Sequence, residues 1–341
     1  MNIKNELNEL IALCEENREK TYLFLVCSQN KDESISGNLL DEEISDIEYG
    51  FMHISNKYAF FNNASSFLIA VNDIKRKNKY TILFYSTMQI GHDINRRLVI
   101  PSMGIYKKIN SLTCSPYFLG ITQNKAHFYE LLSNTVNIPK TYIYDITSLE
   151  DIDYNLSKRW IIKPSLECAG KGIKVFSKDN SEEIEKEVNI LHKELNQKII
   201  IQELIDGKEI EVSVVRKGDK YIVLPAIEII KHDENKDGIL DQHAIDLEKY
   251  DFSLFETTKE INEKIITNTV KCANKLSIDD GICRFDYIVC NGELYLFDIA
   301  AIPLISEHSS TFFVFNELFP EDEFAIYKCL VGSKLFSLTN N

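Results

Sequence analysis

The stretch that decides the fold is GICRFDYIVCNGELYLFDIAAIP, residues 281–303. Two apolar runs flank Asn291-Gly292, a dipeptide typical of tight turns between antiparallel strands. The sequence therefore predicts a β-hairpin formed by residues 281–290 and 293–299 near the C-terminal end of the chain.

The register of this hairpin decides whether its charged residues meet. With a two-residue turn, Asp286 would face Phe297, and Asp298 would lie on the opposite face of the sheet. With a three-residue loop, Arg284 would pair with Asp298, and Asp286 would lie diagonally on the same face. One arginine and two carboxylates on one face suit a divalent cation beside a phosphoryl oxygen; a surface ion pair is the alternative.

A second cluster lies upstream, where an apolar strand of residues 160–163 ends at Lys163 and meets Pro164. The small, polar segment ECAGKG, residues 167–172, follows. Its backbone N–H groups could approach a phosphate chain and Lys163 would add a charge. A flexible hairpin loop is the other interpretation. The segment is not a P-loop, because no glycine stands at the required spacing before Gly170.

Two further segments carry polar groups. The strand of residues 198–204 ends in Gln202 and leads through Asp206-Gly207 to Glu209; an adenine could lie against this connection, and a simple turn is the alternative. The polar loop of residues 232–251 contains DENKDG at 233–238, which resembles the start of a calcium loop. Ala244 stands where such a loop needs a bidentate glutamate, so a mobile lid over a site is the favoured interpretation.

Helical and strand patterns organise the rest of the chain. An amphipathic N-terminal helix and apolar strands at residues 22–27 and 80–85 predict a small α/β layer with parallel strands over about the first 115 residues. Helices are expected at residues 125–134, 181–196 and 259–276, the second capped by Ser181. Strands are expected at residues 173–176 and 209–216.

Composition narrows the class of protein. The 341 residues carry 38 Lys and Arg against 52 Asp and Glu, a net charge of −14, which argues against nucleic acid as a partner. Eight scattered cysteines without a zinc-type spacing indicate reduced thiols. No signal-peptide pattern and no apolar run long enough to span a membrane is present, so we expect a soluble, cytoplasmic protein.

In their order along the chain, these clusters resemble the ATP-grasp fold, and within it the D-alanine–D-alanine ligase-like branch, over residues 95–310. The resemblance implies an α+β fold in which two lobes sandwich ATP behind an N-terminal α/β domain. The implied domains are residues 1–120 (pre-ATP-grasp), 121–206 (central lobe and lid) and 207–341 (catalytic lobe).

The resemblance also implies ATP and Mg²⁺ as cofactors and assigns roles to residues. Lys163 and Arg284 would act in catalysis, Arg284 by steadying an acyl phosphate, and Ser309 would help to hold the acceptor. Asp286 and Asp298 would bind Mg²⁺. The implied ATP-binding residues are Lys125, Lys163, Ala169, Gly170, Lys171, Gly172, Gln202, Glu203, Leu204, Ile205, Glu209 and Lys249, the last in a lid sequence at 246–250.

The chain departs from the family pattern at several of these positions. Arg97 replaces a glutamate in the entry segment that begins at Asn95-Arg96, and Asp298 replaces a longer glutamate. Ala300 replaces an asparagine that supplies an oxygen to a second Mg²⁺. For the N-terminal glutamate that grips the first substrate's amine, Glu33 is the candidate.

The implied function is an ATP-dependent carboxylate–amine ligase that forms an amide or peptide bond through an acyl phosphate. The departures favour an amino acid, peptide or specialised metabolite over D-Ala–D-Ala. The alternative is a non-catalytic or degenerate ATP-binding protein of the same fold. The partners would be a carboxylate donor and an amine acceptor, with no nucleic acid and no membrane, and the resemblance implies a homodimer.

Overall fold

A computed structural model describes residues 2–28, 36–77, 79–91, 94–145, 152–232, 239 and 249–340. Three β-sheets follow one another along this part of the chain. The candidate Glu33, the calcium-like segment at 233–238 and residues 246–248 of the lid sequence lie outside the described residues.

The first sheet is parallel and has the strand order β2-β1-β3-β4. Its apolar strands lie among helices, as expected for the predicted N-terminal α/β layer, which the structure confirms. The strands are β1 (Thr21–Val26), β2 (Tyr58–Phe61), β3 (Thr81–Ser86) and β4 (Asn110–Ser111), and the helices up to residue 123 are α1 (Ile3–Glu16), α2 (Asp41–Ile54), α3 (Ala64–Arg76), α4 (Val99–Lys107) and α5 (Pro116–Gln123).

The second sheet is antiparallel, in the order β5-β8-β6-β7, and one helix packs on it through Ile184, Val188 and Leu191. The prediction that Ser181 caps this helix is wrong. A short 3₁₀ turn, Lys178–Asn180, leads directly into the helix, so Ser181 is already helical. Asn180 holds the cap position, and its side chain bonds to Glu183 rather than to a backbone N–H of the helix. The elements are α6 (Lys125–Leu132), β5 (Thr141–Tyr144), β6 (Arg159–Pro164), β7 (Lys174–Ser177), α7 (Ser181–Leu195) and β8 (Ile199–Glu203).

The third sheet is also antiparallel, in the order β12-β11-β9-β13-β14, with β10 paired to β9. Helices α5 and α6 share an apolar core with its strands β9, β13 and β14. The elements are β9 (Lys208–Lys217), β10 (Lys220–Val223), β11 (Ile227–Lys231), β12 (Tyr250–Leu254), α8 (Lys259–Lys275), β13 (Ile282–Cys290), β14 (Glu293–Ala300), α9 (Ser310–Leu318) and α10 (Ala325–Asn340).

The first and last helices of the described chain pack directly against each other. Leu7, Leu10 and Leu330 share one buried cluster with residues of both the first and the third sheet. The backbones come so close that a Cβ atom added at Gly332 would lie 2.0 Å from the carbonyl oxygen of Leu10. The N-terminal layer and the third sheet are therefore joined by a common core.

The remaining expectations about the chain as a whole concern thiols and membranes. All eight cysteines are free, six of them buried, as their scatter predicts. None of the helices within the described residues combines the length and apolar character needed to cross a membrane.

Candidate functional site

Lys163 is a buried lysine whose three polar neighbours are all uncharged. Its Nζ donates to the hydroxyl of Tyr129 at 2.6 Å, to Oε1 of Gln202 at 2.8 Å and to the carbonyl of Phe297 at 3.4 Å. Burial lowers the pKa of Lys163 to about 7, an effect that the charge of Asp298 opposes. The β6 strand thus places the amino group of Lys163 in the interior, without a directly paired counter-ion.

Lys125 forms the ion pair that ties the helix α6 to the hairpin. It is the first residue of α6, just after Asn124, whose side chain accepts from the N–H of Ala126 and caps the helix. Its Nζ lies 2.9 Å from each carboxylate oxygen of Asp298. Although burial acts in the other direction, Lys125 and then Lys163 hold the pKa of Asp298 below its ordinary value.

The hairpin register differs from both alternatives that the sequence allowed. The turn has two residues, because Cys290 pairs with Glu293 and both Asn291 and Gly292 have positive φ. The register then shifts between Asp286 and Tyr287, which leaves Phe297 as an extra residue in β14. Asp286 therefore pairs directly with Asp298, and the two carboxylates share one face.

Arg284 lies on the same face, clamped between two acids. It donates from Nε and Nη2 to the two oxygens of Asp286 at 2.8 and 2.9 Å, and its Nη2 lies 2.8 Å from Oε1 of Glu211. Glu211 pairs with Asp286 across β9 and β13 and accepts a hydrogen bond from Ser310. Burial raises the pKa of Glu211 to about 8, although Arg284 opposes the shift.

The segment of residues 167–172 forms a tight loop after β6. Ala169, Gly170 and Gly172 have φ of 51°, 70° and 73°, the left-handed region that an alanine adopts only at a cost. Hydrogen bonds from Lys171 N to Cys168 O and from Ile173 N to Gly170 O close the turns. Glu167 anchors the start of the loop: Ser36 donates to it, and Gln197 Nε2 donates to its Oε1 at 3.0 Å.

A cavity of about 320 Å³, here called the hinge cavity, lies between the second and third sheets. Ile161, Ile173 and Ile288 give it apolar walls, and Glu209, which pairs with Lys231 at 2.7 Å, stands at its edge. Its lining also includes the predicted ATP-binding residues Lys125, Lys163, Gln202, Glu203, Leu204 and Ile205.

Two further cavities lie in sequence next to the hinge cavity. The central cavity, of about 160 Å³, shares Lys125 and Asp298 with it and is also lined by Ala169, Arg284 and Asp286. The distal cavity, of about 310 Å³, shares Ala169 and Arg284 with the central one and extends to Ser309 and to aromatic residues of β12. The three cavities are therefore neighbours, and the hairpin carboxylates line the central one.

The structure does not bring all predicted site residues to these walls. None of the three cavities is lined by Gly170, Lys171, Gly172 or Lys249. The carbonyl of Lys249 accepts from the N–H of His232 at 3.0 Å. Ser309 reaches the distal cavity, but its hydroxyl donates to Ser306 O at 2.9 Å and caps α9 by accepting from Phe312 N. Its position therefore also serves the helix.

Sequence reasoning missed Tyr129 and Glu211 and gave Arg97 no role. Glu211 could have been found, because it alternates with Glu209 on a strand and so shares its face. Tyr129 carried no signal, since it lies among apolar residues of α6. Arg97 lines both the central and the distal cavity.

Among the described residues, no group of three or more His, Cys, Asp or Glu side chains could hold a metal ion unaided. Asp286 and Asp298 together offer a two-carboxylate face, each now paired with a cation. Such a pair can hold Mg²⁺ where phosphate oxygens supply the remaining ligands.

Comparison with known proteins places this geometry in context. The family model described as an ATP-grasp domain matches residues 122–302. A D-alanine–D-alanine ligase of Petrotoga mobilis is 31% identical over 204 residues, 58% of this chain and 63% of that protein. The large chain of carbamoyl phosphate synthase from Clostridium botulinum is 25% identical over 211 residues, 60% of this chain and 19% of its own. The chain thus spans less than two thirds of these relatives.

Solved structures show the same fold over nearly the whole chain. The D-alanine–D-alanine ligase of Bacillus anthracis complexed with ATP has a TM-score of 0.66 and 16% identity, covering 92% of this chain and 97% of its own. The VanG D-Ala:D-Ser ligase of Enterococcus faecalis has a TM-score of 0.67 and 16% identity, with 93% and 99% covered. At this identity the likeness shows the fold, and it confirms the α+β architecture expected from the sequence.

Proposed function

The chain belongs to the ATP-grasp family, and from that premise we propose that it is an ATP-dependent, ADP-forming carboxylate–amine ligase. The observation that carries the proposal is the meeting of Lys125 with Asp298 at 2.9 Å, directly opposite Asp286, where the hinge and central cavities join. A nucleotide tail, a metal and a second substrate would all converge at this point.

The hinge cavity fits a nucleotide. Isoleucine side chains line its walls for a base, and Glu209 stands where ribose hydroxyls would lie. Lys163 is buried with only neutral oxygen partners, so a phosphate would supply the counter-ion that this ammonium lacks. We assign the triphosphate to Lys125, Lys163 and the loop of residues 169–172, as the family resemblance implies.

The carboxylates of Asp286 and Asp298 fit Mg²⁺ held jointly with phosphate oxygens. Bound there, the ion would neutralise charge on the terminal phosphates. Lys125 and Arg284 now hold those two carboxylates, so both cations would become available to phosphate oxygens when the metal takes their place.

The reaction would proceed in two displacements. An oxygen of the substrate carboxylate forms a bond to the terminal phosphorus of ATP as the bond to ADP breaks. An amine then attacks the acyl carbon, loses a proton and expels phosphate, which leaves an amide. Arg284 lies on the wall between the central and distal cavities, where it can stabilise the oxygens of both reacting groups.

We propose a substrate other than D-Ala–D-Ala: an amino acid, peptide or specialised metabolite. The distal cavity supports this, because its wall includes Tyr250, Phe252 and Leu39 and its volume of about 310 Å³ nearly equals that of the hinge cavity. We place the reaction in the cytoplasm, in keeping with eight free thiols, and propose a homodimer from the family resemblance.

The test is ADP release from Mg·ATP in the presence of amino-acid donors and amine acceptors, offered singly and together. We expect release to depend on both, and to be lost in Lys163→Ala and Asp286→Ala, with the exposed Lys259→Ala as the matched control. Release that needs neither donor nor acceptor, or that survives both substitutions, would contradict the proposal.

One observation favours a second candidate, a nucleotide-binding protein without turnover. Ala300, which pairs with Arg284, has no side-chain oxygen to offer a metal ion on this face. A rise in melting temperature with Mg·ATP, but no ADP release with any donor and acceptor pair, would favour this function over the ligase.

A further inference from the structure

Arg97 differs from the other arginines near the central cavity. Arg96 donates hydrogen bonds to Oε1 of Gln89 and to the carbonyl of Leu166, at 2.7 Å each. Arg284 contacts two carboxylates. Both of these guanidinium groups are therefore satisfied within the protein.

The contacts of Arg97 are weaker. Within the described part of the chain, its Nη2 donates to the carbonyl of Gly37 at 3.3 Å and to Sγ of Cys168 at 3.2 Å and to no other group. Its Nε is buried without a hydrogen-bond partner. The ion pairs formed among the described residues include none with Arg97, and a half-buried cation without a carboxylate is costly unless a ligand supplies the negative charge.

The fold makes specific room for this side chain. Gly37 has φ of 71°, and a Cβ atom there would lie 2.3 Å from Nη2 of Arg97 and 2.4 Å from Sγ of Cys168. The guanidinium group is thus held against the loop that carries Ala169. Since the contact is to a carbonyl and a thiol, it orients Arg97 without neutralising it.

The cavities that Arg97 lines indicate where an anion bound to it would lie. Arg97 lines both the central and the distal cavity, as do Arg284, Ala169 and Ala300, so it lies on the wall that the two cavities share. It does not line the hinge cavity. An anion bound to Arg97 in the central cavity would share that cavity with Lys125 and Asp298, next to the distal cavity proposed for the second substrate.

We propose that Arg97 is a second catalytic arginine, which binds an oxygen of the terminal phosphoryl group as that group passes from the nucleotide to the substrate carboxylate. The inference rests on the proposed function. In the transfer, the P–O bond to ADP breaks, a P–O bond to the carboxylate forms, and negative charge spreads over three phosphoryl oxygens. Arg97 and Arg284 both line the central and the distal cavity, where each would contribute N–H donors to those oxygens.

The experiment compares two nucleotides, Mg·ADP and the Mg complex of β,γ-imido-ATP, by titration calorimetry on the full-length protein. In Arg97→Gln we expect affinity for Mg·ADP within about twofold of the wild type and affinity for Mg·β,γ-imido-ATP about tenfold or more weaker, as for loss of a charge-assisted bond. Arg76→Gln, on the exposed face of α3, is the matched control and should bind both nucleotides as the wild type does.

The outcomes separate the sources of the anion. If Arg97→Gln leaves both affinities unchanged, Arg97 holds another group, such as a substrate carboxylate, and the proposal is overturned. An equal loss for both nucleotides also overturns it, since that would indicate a structural role. If Arg97→Gln does not fold, Arg97→Lys keeps the charge without the planar fork; a loss selective for β,γ-imido-ATP supports the proposal, and an unchanged ratio of the two affinities overturns it.

The test is independent of turnover. Absence of ADP release with every donor and acceptor would reject the ligase, yet the ratio of the two affinities would still report whether Arg97 contacts the terminal phosphoryl group. Conversely, a working ligase with an unchanged ratio in Arg97→Gln would reject only this inference.

Discussion

Asp286 lies directly opposite Asp298 in the hairpin of β13 and β14, because Phe297 bulges out of register beside them. The bulge puts both carboxylates on one face, and Lys125 and Arg284 hold them there in the absence of a ligand. A single extra residue thus creates the two-carboxylate face on which the proposed chemistry depends.

The carboxylates should determine the metal dependence of nucleotide binding. We expect Asp286→Asn and Asp298→Asn each to weaken binding of ATP in the presence of Mg²⁺ by about tenfold or more, because each removes a charged metal ligand. The measurement is a calorimetric ATP titration at several Mg²⁺ concentrations. Asp219→Asn, whose side chain is exposed, is the control. An unchanged Mg²⁺ dependence in both site variants would place the metal elsewhere.

Binding of a nucleotide should make Lys163 take up a proton. The free protein has a pKa of about 7 at Lys163, and an adjacent phosphate would raise it, so near pH 8 we expect uptake of up to one proton per Mg·ATP bound. Affinity should accordingly fall as pH rises from 7 to 9. Calorimetry in buffers of different ionisation enthalpy measures the uptake.

Lys163→Met should abolish this proton uptake, and the exposed Lys259→Met should retain it. In the free protein, burial of protonated Lys163 should lower the free energy of unfolding by its full amount below pH 7. This destabilisation should diminish as pH rises from 7 toward 10.5, because in that range the folded protein has lost the proton while the unfolded chain still holds it. Uptake that persists in Lys163→Met would assign the proton to another group.

The loop after β6 should be sensitive to the side chain at position 169. Ala169 has φ of 51°, so Ala169→Gly should be tolerated, whereas Ala169→Val should cost about 1–2 kcal/mol or distort the loop, because branching at Cβ is poorly compatible with this conformation. Urea denaturation measures the stability change, and a titration with Mg·ATP measures the effect on binding. Equal stability of the two variants would show that the loop relaxes freely.

The contact between α1 and α10 should be intolerant of added volume. Gly332→Ala should destabilise the protein by about 1–3 kcal/mol or more, because its Cβ would meet backbone atoms of Leu10 that cannot move alone. Gly120→Ala in α5 is the matched control: its Cβ would meet only the flexible end of Leu98, at 3.2 Å. Denaturation midpoints compare the two, and similar values would show that the helix pair adjusts.

The general architecture could be predicted because the signals are local. Apolar runs bounded by turn residues predicted two strands of the first sheet, three of the second and three of the third, and Asn291-Gly292 predicted the turn of the hairpin; the predicted strands are β1, β3, β6, β7, β8, β9, β13 and β14. The segments containing Lys163 and residues 167–172 were placed correctly next to each other. The roles assigned to these residues stay predictions.

What the sequence did not reveal depends on long-range packing. The bulge at Phe297 follows from how β14 meets β13 and the buried Lys163, and no residue near it marks an irregularity. Glu211 reaches Arg284 only because β9 and β13 are neighbours in the sheet. The partial burial of Arg97 likewise depends on its contact with Gly37, which lies 60 residues earlier.

The pairing of α1 with α10 also bears on how the molecule is made. More than 300 residues separate Leu10 from Gly332, so this contact has a very high sequence separation and forms only after most loops have closed. During synthesis, the apolar face of α1 stays uncovered until α10 has left the ribosome. We therefore expect the formation of this contact to be late and slow, with the nascent N-terminal layer a natural client for chaperones.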